Sequence, residues 1–125
     1  MSVINQGNTM GDVVKYMAPS DYSLEYVVVD TNQNLSIGSV VGIDVNTGNV
    51  VVLDPNASDS SGFASGVMLE DVDTTSGNVA NASMLARHAL VVKQKLIFPT
   101  GTTSDQIKTA LEQLKSIGII YRLGV

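Results

Sequence analysis

The chain has no cysteine and no tryptophan, three prolines and a single histidine, and only one basic residue, Lys15, among its first 84 positions. The missing cysteine excludes a disulfide framework, a thiolate metal site and a cysteine nucleophile. With no tryptophan and few other aromatics, no stacking platform for sugars or single-stranded nucleic acid is apparent. The net charge of −5 argues against nucleic acid as the main partner. No window approaches the roughly 20 apolar residues of a membrane helix, and the first residues lack the basic start and apolar run of a secretory signal. No membrane partner is expected.

Catalytic and metal chemistry find little to stand on. Any Ser-His-Asp triad would have to use His88, and no nucleophile elbow accompanies it, because Gly62-Phe63-Ala64-Ser65-Gly66 has the wrong spacing. His88 reads as a half-exposed residue beside Arg87 in a strand. Glu70, Asp71 and Asp73 form the densest acidic cluster, but it lacks the spaced ligands and fixed glycine of an EF-hand loop and reads as a solvated strand end. The loop from Asp54 to Gly62 offers only Asp54 and Asp59. No phosphate loop, dinucleotide fingerprint or zinc pattern is present. The expectation is a protein with no catalytic residues, cofactor or metal.

At 125 residues the chain suits one domain. That length buries roughly two-thirds of its unfolded surface and needs no metal or disulfide. The charge is unevenly placed. Residues 1–84 hold ten acids and one base, a net of −9, whereas residues 85–125 hold two acids and six bases, a net of +4. The two parts could face each other within a domain or meet between subunits.

The strongest local signal lies in residues 103–122. Ile107, Ala110, Leu111, Leu114 and Ile117 make one apolar stripe at helical period. Thr103 and Gln106 have the form of a capping box, Asp105 and Lys115 suit the helix dipole, and Gly118 fits the left-handed position past the helix end. Ile119-Ile120-Tyr121 reads as a return strand. Ahead of this unit the pattern is sheet. Residues 24–30 form a strand around Val27-Val28-Val29. Residues 40–53 form a hairpin turning at Asn46-Thr47-Gly48-Asn49, and Gly38 and Gly42 mark a bend or bulge. Residues 54–65 are a surface loop, 66–73 a strand with an acidic end, 74–81 a polar turn, and 89–92 a further strand. The fold class expected is α+β, mainly β: an antiparallel-rich β domain over residues 24–125 with one C-terminal amphipathic helix as a lid.

Residues 1–23 follow neither a period of 2 nor one of 3.6. They are spotted with Val13, Val14, Tyr16, Met17 and Tyr22. They read as an N-terminal arm, extended or disordered until those side chains meet a partner's groove or sheet edge. Ordering about 15 residues costs roughly 15–30 kcal/mol of backbone entropy, which the partner's contacts must exceed.

Several motifs in order resemble the lambda D-like head decoration proteins of tailed phages. Gly38-Ser39-Val40-Val41-Gly42 is similar to the family's opening segment. Gly66 through Glu70, Asp71 and Asp73 is similar to its strand with an acidic end, and Arg87-His88-Ala89-Leu90-Val91-Val92 to the strand that follows. Leu96-Ile97-Phe98-Pro99 resembles its Leu-x-Trp/Phe-Pro step, with Phe98 where some relatives carry Trp. Residues 107–122, with Gly118, resemble its closing helix and strand. The resemblance implies a non-enzymatic capsid protein made in the host bacterial cytoplasm. Such a protein forms a homotrimer on the outer surface of the virion, at three-fold and quasi-three-fold sites of the expanded head. It holds the major capsid protein against internal DNA pressure, and its N-terminal arm reaches that protein. Two other readings stay open: another structural virion component of the tail or fibre base, and a small non-catalytic β binding module.

Overall fold

The computed structural model describes residues 9–77 and 79–123. The elements run α1 (Met10–Val13), β1 (Val14–Met17), α2 (Ser20–Ser23), β2 (Leu24–Val29), β3 (Asn34–Leu35), β4 (Val40–Ile43) and β5 (Val50–Val52). They continue as β6 (Gly66–Met68), β7 (Val72–Asp73), β8 (Val79–Leu85), β9 (Ala89–Val92), α3 (Ser104–Ser116) and β10 (Ile119–Arg122). Short 3-10 turns precede β6 and follow β9. The architecture is mainly β with one long helix near the C-terminus, as the pattern predicts.

Five strands close a barrel in the order β2-β5-β4-β6-β8. All its pairings are antiparallel except the single parallel bridge Val29↔Val50. A second sheet has the order β1-β9-β10, with β1 antiparallel and β10 parallel to β9. β3 and β7 form a small pair of their own.

The apolar side chains separate into two cores. One cluster draws Val29, Val41, Val50, Met68, Ala82 and Met84 from all five barrel strands and fills the barrel. The other joins Val40, Val67 and Leu85 of the barrel wall to Ala110, Leu111 and Leu114 of α3 and to Ala89, Val91 and Ile119 of the second sheet. The helix thus packs one apolar stripe against barrel and sheet together, as its periodicity requires. Thr103 and Gln106 make both bonds of the capping box, and Gly118 has φ +84°. The hydrogen bond from Ala64 N–H to Gln113 Oε1, 2.8 Å, ties the helix to the chain entering β6.

Three departures from the sequence pattern have physical causes, and the bend expected at Gly38 is present. Gly38, at φ +99°, turns the chain between β3 and β4, while Gly42 lets the 54–62 loop close in, since a Cβ there would sit 2.5 Å from the Ser61 carbonyl oxygen. Residues 66–73 break into β6 and β7, with Glu70 and Asp71 in the turn. There the Asp71 carboxylate accepts from Ile37 N–H at 2.9 Å. The polar turn expected over 74–81 gives way at Val79 to β8, which pairs with both β2 and β6. His88 lies in the bend between β8 and β9 at φ +53° rather than in a strand.

The boundary expected at residue 23 also shifts. From Thr9 onward the segment lies on the domain. Val13 is 0% exposed in the core, and β1 pairs with β9 through Val14↔Val91, Tyr16↔Leu90 and Met17↔Ala89. The Ser23 hydroxyl donates to the Ala18 carbonyl oxygen at 2.6 Å, and Ala86 N–H donates to the Ser23 carbonyl oxygen. The cause is nonlocal: β9 supplies the pairing edge and α3 the apolar floor. Residues 1–8 of the expected arm lie outside the described residues.

Candidate interaction surface

The five side chains expected to bind a capsid divide by burial. Val13 is core, Val14 and Met17 are half-buried against it, and Tyr16 and Tyr22 point to solvent. Tyr16 sits beside Leu90, and Ile120 flanks Leu90 on the other side, so one apolar row crosses all three strands of the second sheet. Tyr16 is 64% and Ile120 48% exposed. The open face of such a sheet is ordinarily polar, so this apolar row is a candidate contact surface. Leu90 and Ile120 were invisible as site residues in the sequence, where both read as ordinary strand residues.

Tyr22 belongs to a second grouping at the end of this sheet. Its ring meets His88 edge-on at 4.9 Å, and the Arg87 guanidinium lies 5.3 Å from the ring centroid. Arg87 also donates to the Tyr22 carbonyl oxygen and pairs with Glu25 of β2. Gly118 faces His88 so closely that a Cβ would overlap the imidazole. Arg87 and Gly118, remote in sequence, are thus brought together around His88. The other motif residues lie elsewhere. Gly66 is buried at the start of β6. Phe98 and Pro99 are half-buried after β9, with Phe98 packed on the second core and the Pro99 carbonyl oxygen accepting from Thr102. These residues position elements and form no common pocket.

Charge is concentrated at the far end of the same sheet. Lys15, Lys95 and Arg122 line one cleft together with Asp12 and Leu123. The Thr9 backbone N–H, then its hydroxyl, and to a smaller extent Lys95 and Lys15 hold the Asp12 carboxyl below the usual carboxylate range. Among the described residues no three His, Asp or Glu side chains are grouped to hold a metal, and no helix is long and apolar enough to cross a membrane.

The family model for bacteriophage lambda head decoration protein D matches residues 3–119. The chain belongs to this family. No curated protein matches it. Membership makes this head decoration protein a structural component of the phage virion, one that binds the capsid from outside and belongs to a non-catalytic family. The match covers the barrel, α3, β1 and β9 and ends on the first residue of β10. Ile120 of the apolar row and Arg122 of the charged cleft therefore lie beyond it.

Proposed function

We propose that this decoration protein acts as a homotrimer on the expanded head, at three-fold and quasi-three-fold sites, holding neighbouring capsid subunits together against the pressure of packaged DNA. It is made in the host bacterial cytoplasm and needs no cofactor. The observation that carries this reading is the family match, which begins at residue 3, ahead of the first described residue. The N-terminal segment is thus part of what is shared with head decoration proteins. Residues 1–8 are proposed to meet the major capsid protein by strand addition, which uses backbone hydrogen bonds and tolerates the polar composition Asn5-Gln6-Gly7-Asn8. The exposed Tyr16 and Tyr22 extend that contact onto the folded domain. Three such segments on one rigid trimer raise the effective concentration of the second and third, so weak single contacts add up to firm attachment.

Co-sedimentation with undecorated shells of the same phage tests the reading. Saturable binding to expanded but not unexpanded shells is expected, near one copy per capsid subunit, and removal of residues 2–8 should abolish it while leaving the domain folded. Absence of binding to both kinds of shell would refute the decoration mechanism. Full binding by the truncated protein would refute the role of the segment alone. A longer deletion is a poor test, because removing residues 2–20 also strips Val13 from the core and β1 from its sheet.

A further inference from the structure

The second sheet, β1-β9-β10, ends in two outer edges that differ. β1 carries two devices that keep other strands off. Its register against β9 shifts between Val14 and Tyr16, and the residue between them is a lysine, Lys15. Over residues 119–121 β10 carries neither. It keeps step with β9 from Ile119↔Ala89 through Arg122↔Val92, and among the described residues no strand pairs with its outer side. Ile120 and Tyr121, neighbours on a strand, belong to opposite faces of the sheet, and they are 48% and 45% exposed. An edge with unpaired backbone groups and an apolar side chain on each face is a site for an added strand.

The chain carries a matching segment just outside the described residues. Residues 1–8 hold one adjacent pair of β-branched apolar residues, Val3-Ile4, followed by the polar and uncharged Asn5-Gln6-Gly7-Asn8. In an added strand that pair would alternate, one side chain beside Ile120 and the other beside Tyr121. The segment is rooted at the right end of the sheet. Thr9 caps α1, and Asp12 of α1 lines one cleft with Arg122 and Leu123, where β10 finishes. Val14 opens β1 opposite Val91, and Tyr121 flanks Val91 on the other side. A segment running along β10 toward Thr9 is therefore parallel to it. A strand added beyond β10 stands three strand spacings from β1, about 15 Å. Five chain steps separate Ile4 from Thr9 and reach about 17 Å when extended. The polar linker is long enough to bring Val3-Ile4 to this edge, with little length to spare.

We infer that in the free protein residues 2–5 add a fourth strand to the chain's own second sheet, parallel to β10, with Val3 and Ile4 covering Ile120 and Tyr121. A short tether holds the segment at an effective concentration of about millimolar, above what a second copy supplies in dilute solution. The inference concerns the unbound state and does not depend on the capsid reading. Where both hold, docking exchanges the β10 edge for capsid backbone, and the edge stays covered until then.

The absence of cysteine makes a spin label at Ser2→Cys the only one on the chain. In isotope-labelled protein carrying that label, the amide signals of Ile120 and Tyr121 should broaden, while those of the turn at Thr47 and Gly48 stay sharp. In a mixture refolded together, of isotope-labelled wild type with excess spin-labelled but isotopically unlabelled protein, the β10 signals should stay sharp. Amide hydrogen exchange gives a second readout. A chain lacking residues 2–8 and the variant Val3→Ser/Ile4→Ser should both exchange at residues 119–122 about tenfold faster or more than wild type, as an uncovered edge does. Unchanged exchange in β4 and β8 establishes that the domain is folded in both. Sharp Ile120 and Tyr121 signals in the first sample would overturn the proposal, as would equal exchange at 119–122 in all three proteins. Broadening in the mixed sample would overturn it in favour of a segment supplied by a second copy. No shell enters either readout, so failure of the capsid reading is distinguishable from failure of this one.

Discussion

Replacing Val13 by Ala distinguishes a folded N-terminal segment from a loose one without any shell present. Val13 is completely buried among the side chains that join the barrel wall to α3 and the second sheet. Two methyl groups leave the core. At about 0.8 kcal/mol for each buried carbon, the lost transfer energy is about 1.6 kcal/mol. The cavity left behind adds about 1 kcal/mol, because close-packed surroundings relax only in part. The expected destabilisation is therefore about 2–3 kcal/mol. Tyr16→Thr is the control: it exchanges one residue of high strand preference for another at an exposed position of the same segment and should change stability by less than about 1 kcal/mol. Urea denaturation followed by circular dichroism, at fixed protomer concentration because assembly would shift the midpoint, reads both. A Val13→Ala cost below about 0.5 kcal/mol would refute the packing of residues 9–23 on the free domain and return them to an arm that orders only on docking.

Three further outcomes follow from the same structure. Gln113→Ala should cost about 1–3 kcal/mol in chemical denaturation, because Ala64 is fully buried and its N–H loses the Gln113 oxygen; a loss within error would mean that water replaces that oxygen. Gly118→Ala places a side chain at φ +84° and against the His88 ring. The backbone conformation alone should cost about 1–2 kcal/mol, and adding His88→Ala should recover the steric part; strict additivity in that double-mutant cycle would remove the contact from the explanation. Asp73 and Asp59 are held below the usual carboxylate range, Asp73 by the Thr75 backbone N–H and then its hydroxyl, Asp59 by the Ser61 hydroxyl and then its N–H. Their folded forms bind protons less readily than the unfolded chain, so the stability they add is present above the ordinary value of 3.8 and is lost as pH falls through the depressed folded value. Melting temperature should drop on acidification below that point, and less steeply in Asp73→Asn; identical pH profiles would refute this assignment.

The shared surface at His88 shows how far local sequence carries. Arg87, Gly118 and Tyr22 each drew notice separately, for a motif position, a helix stop and an apolar spot. Only the fold puts the Tyr22 ring against His88 and Gly118 beneath it. The charge split was likewise visible along the chain. In the fold it gives the ion pair of Arg87 with Glu25 across the two parts, and a cleft where Lys15 and Asp12 from the acidic part join Lys95 and Arg122 from the basic part.

What the sequence determined by itself was whatever rests on neighbours a few residues apart. The capped helix Ser104–Ser116 follows from Thr103, Gln106 and an apolar stripe, and its stop from a glycine that can take a positive φ. The β4–β5 hairpin follows from valine-rich runs around Gly48. Turns and caps close within one turn of chain, so their chemistry is written locally. The tertiary structure decided what depends on distant partners. β8, Val-Ala-Asn-Ala-Ser-Met-Leu, has little intrinsic strand preference and is a strand because β2 and β6 supply hydrogen-bonding edges on both sides. β10 runs parallel to β9 because α3 returns the chain across the core. Residues 9–23 carry no period, yet they are bound into the domain because β9 offers an edge and the core a place for Val13. Burial is a property of the assembled surface, and no window of sequence contains that surface.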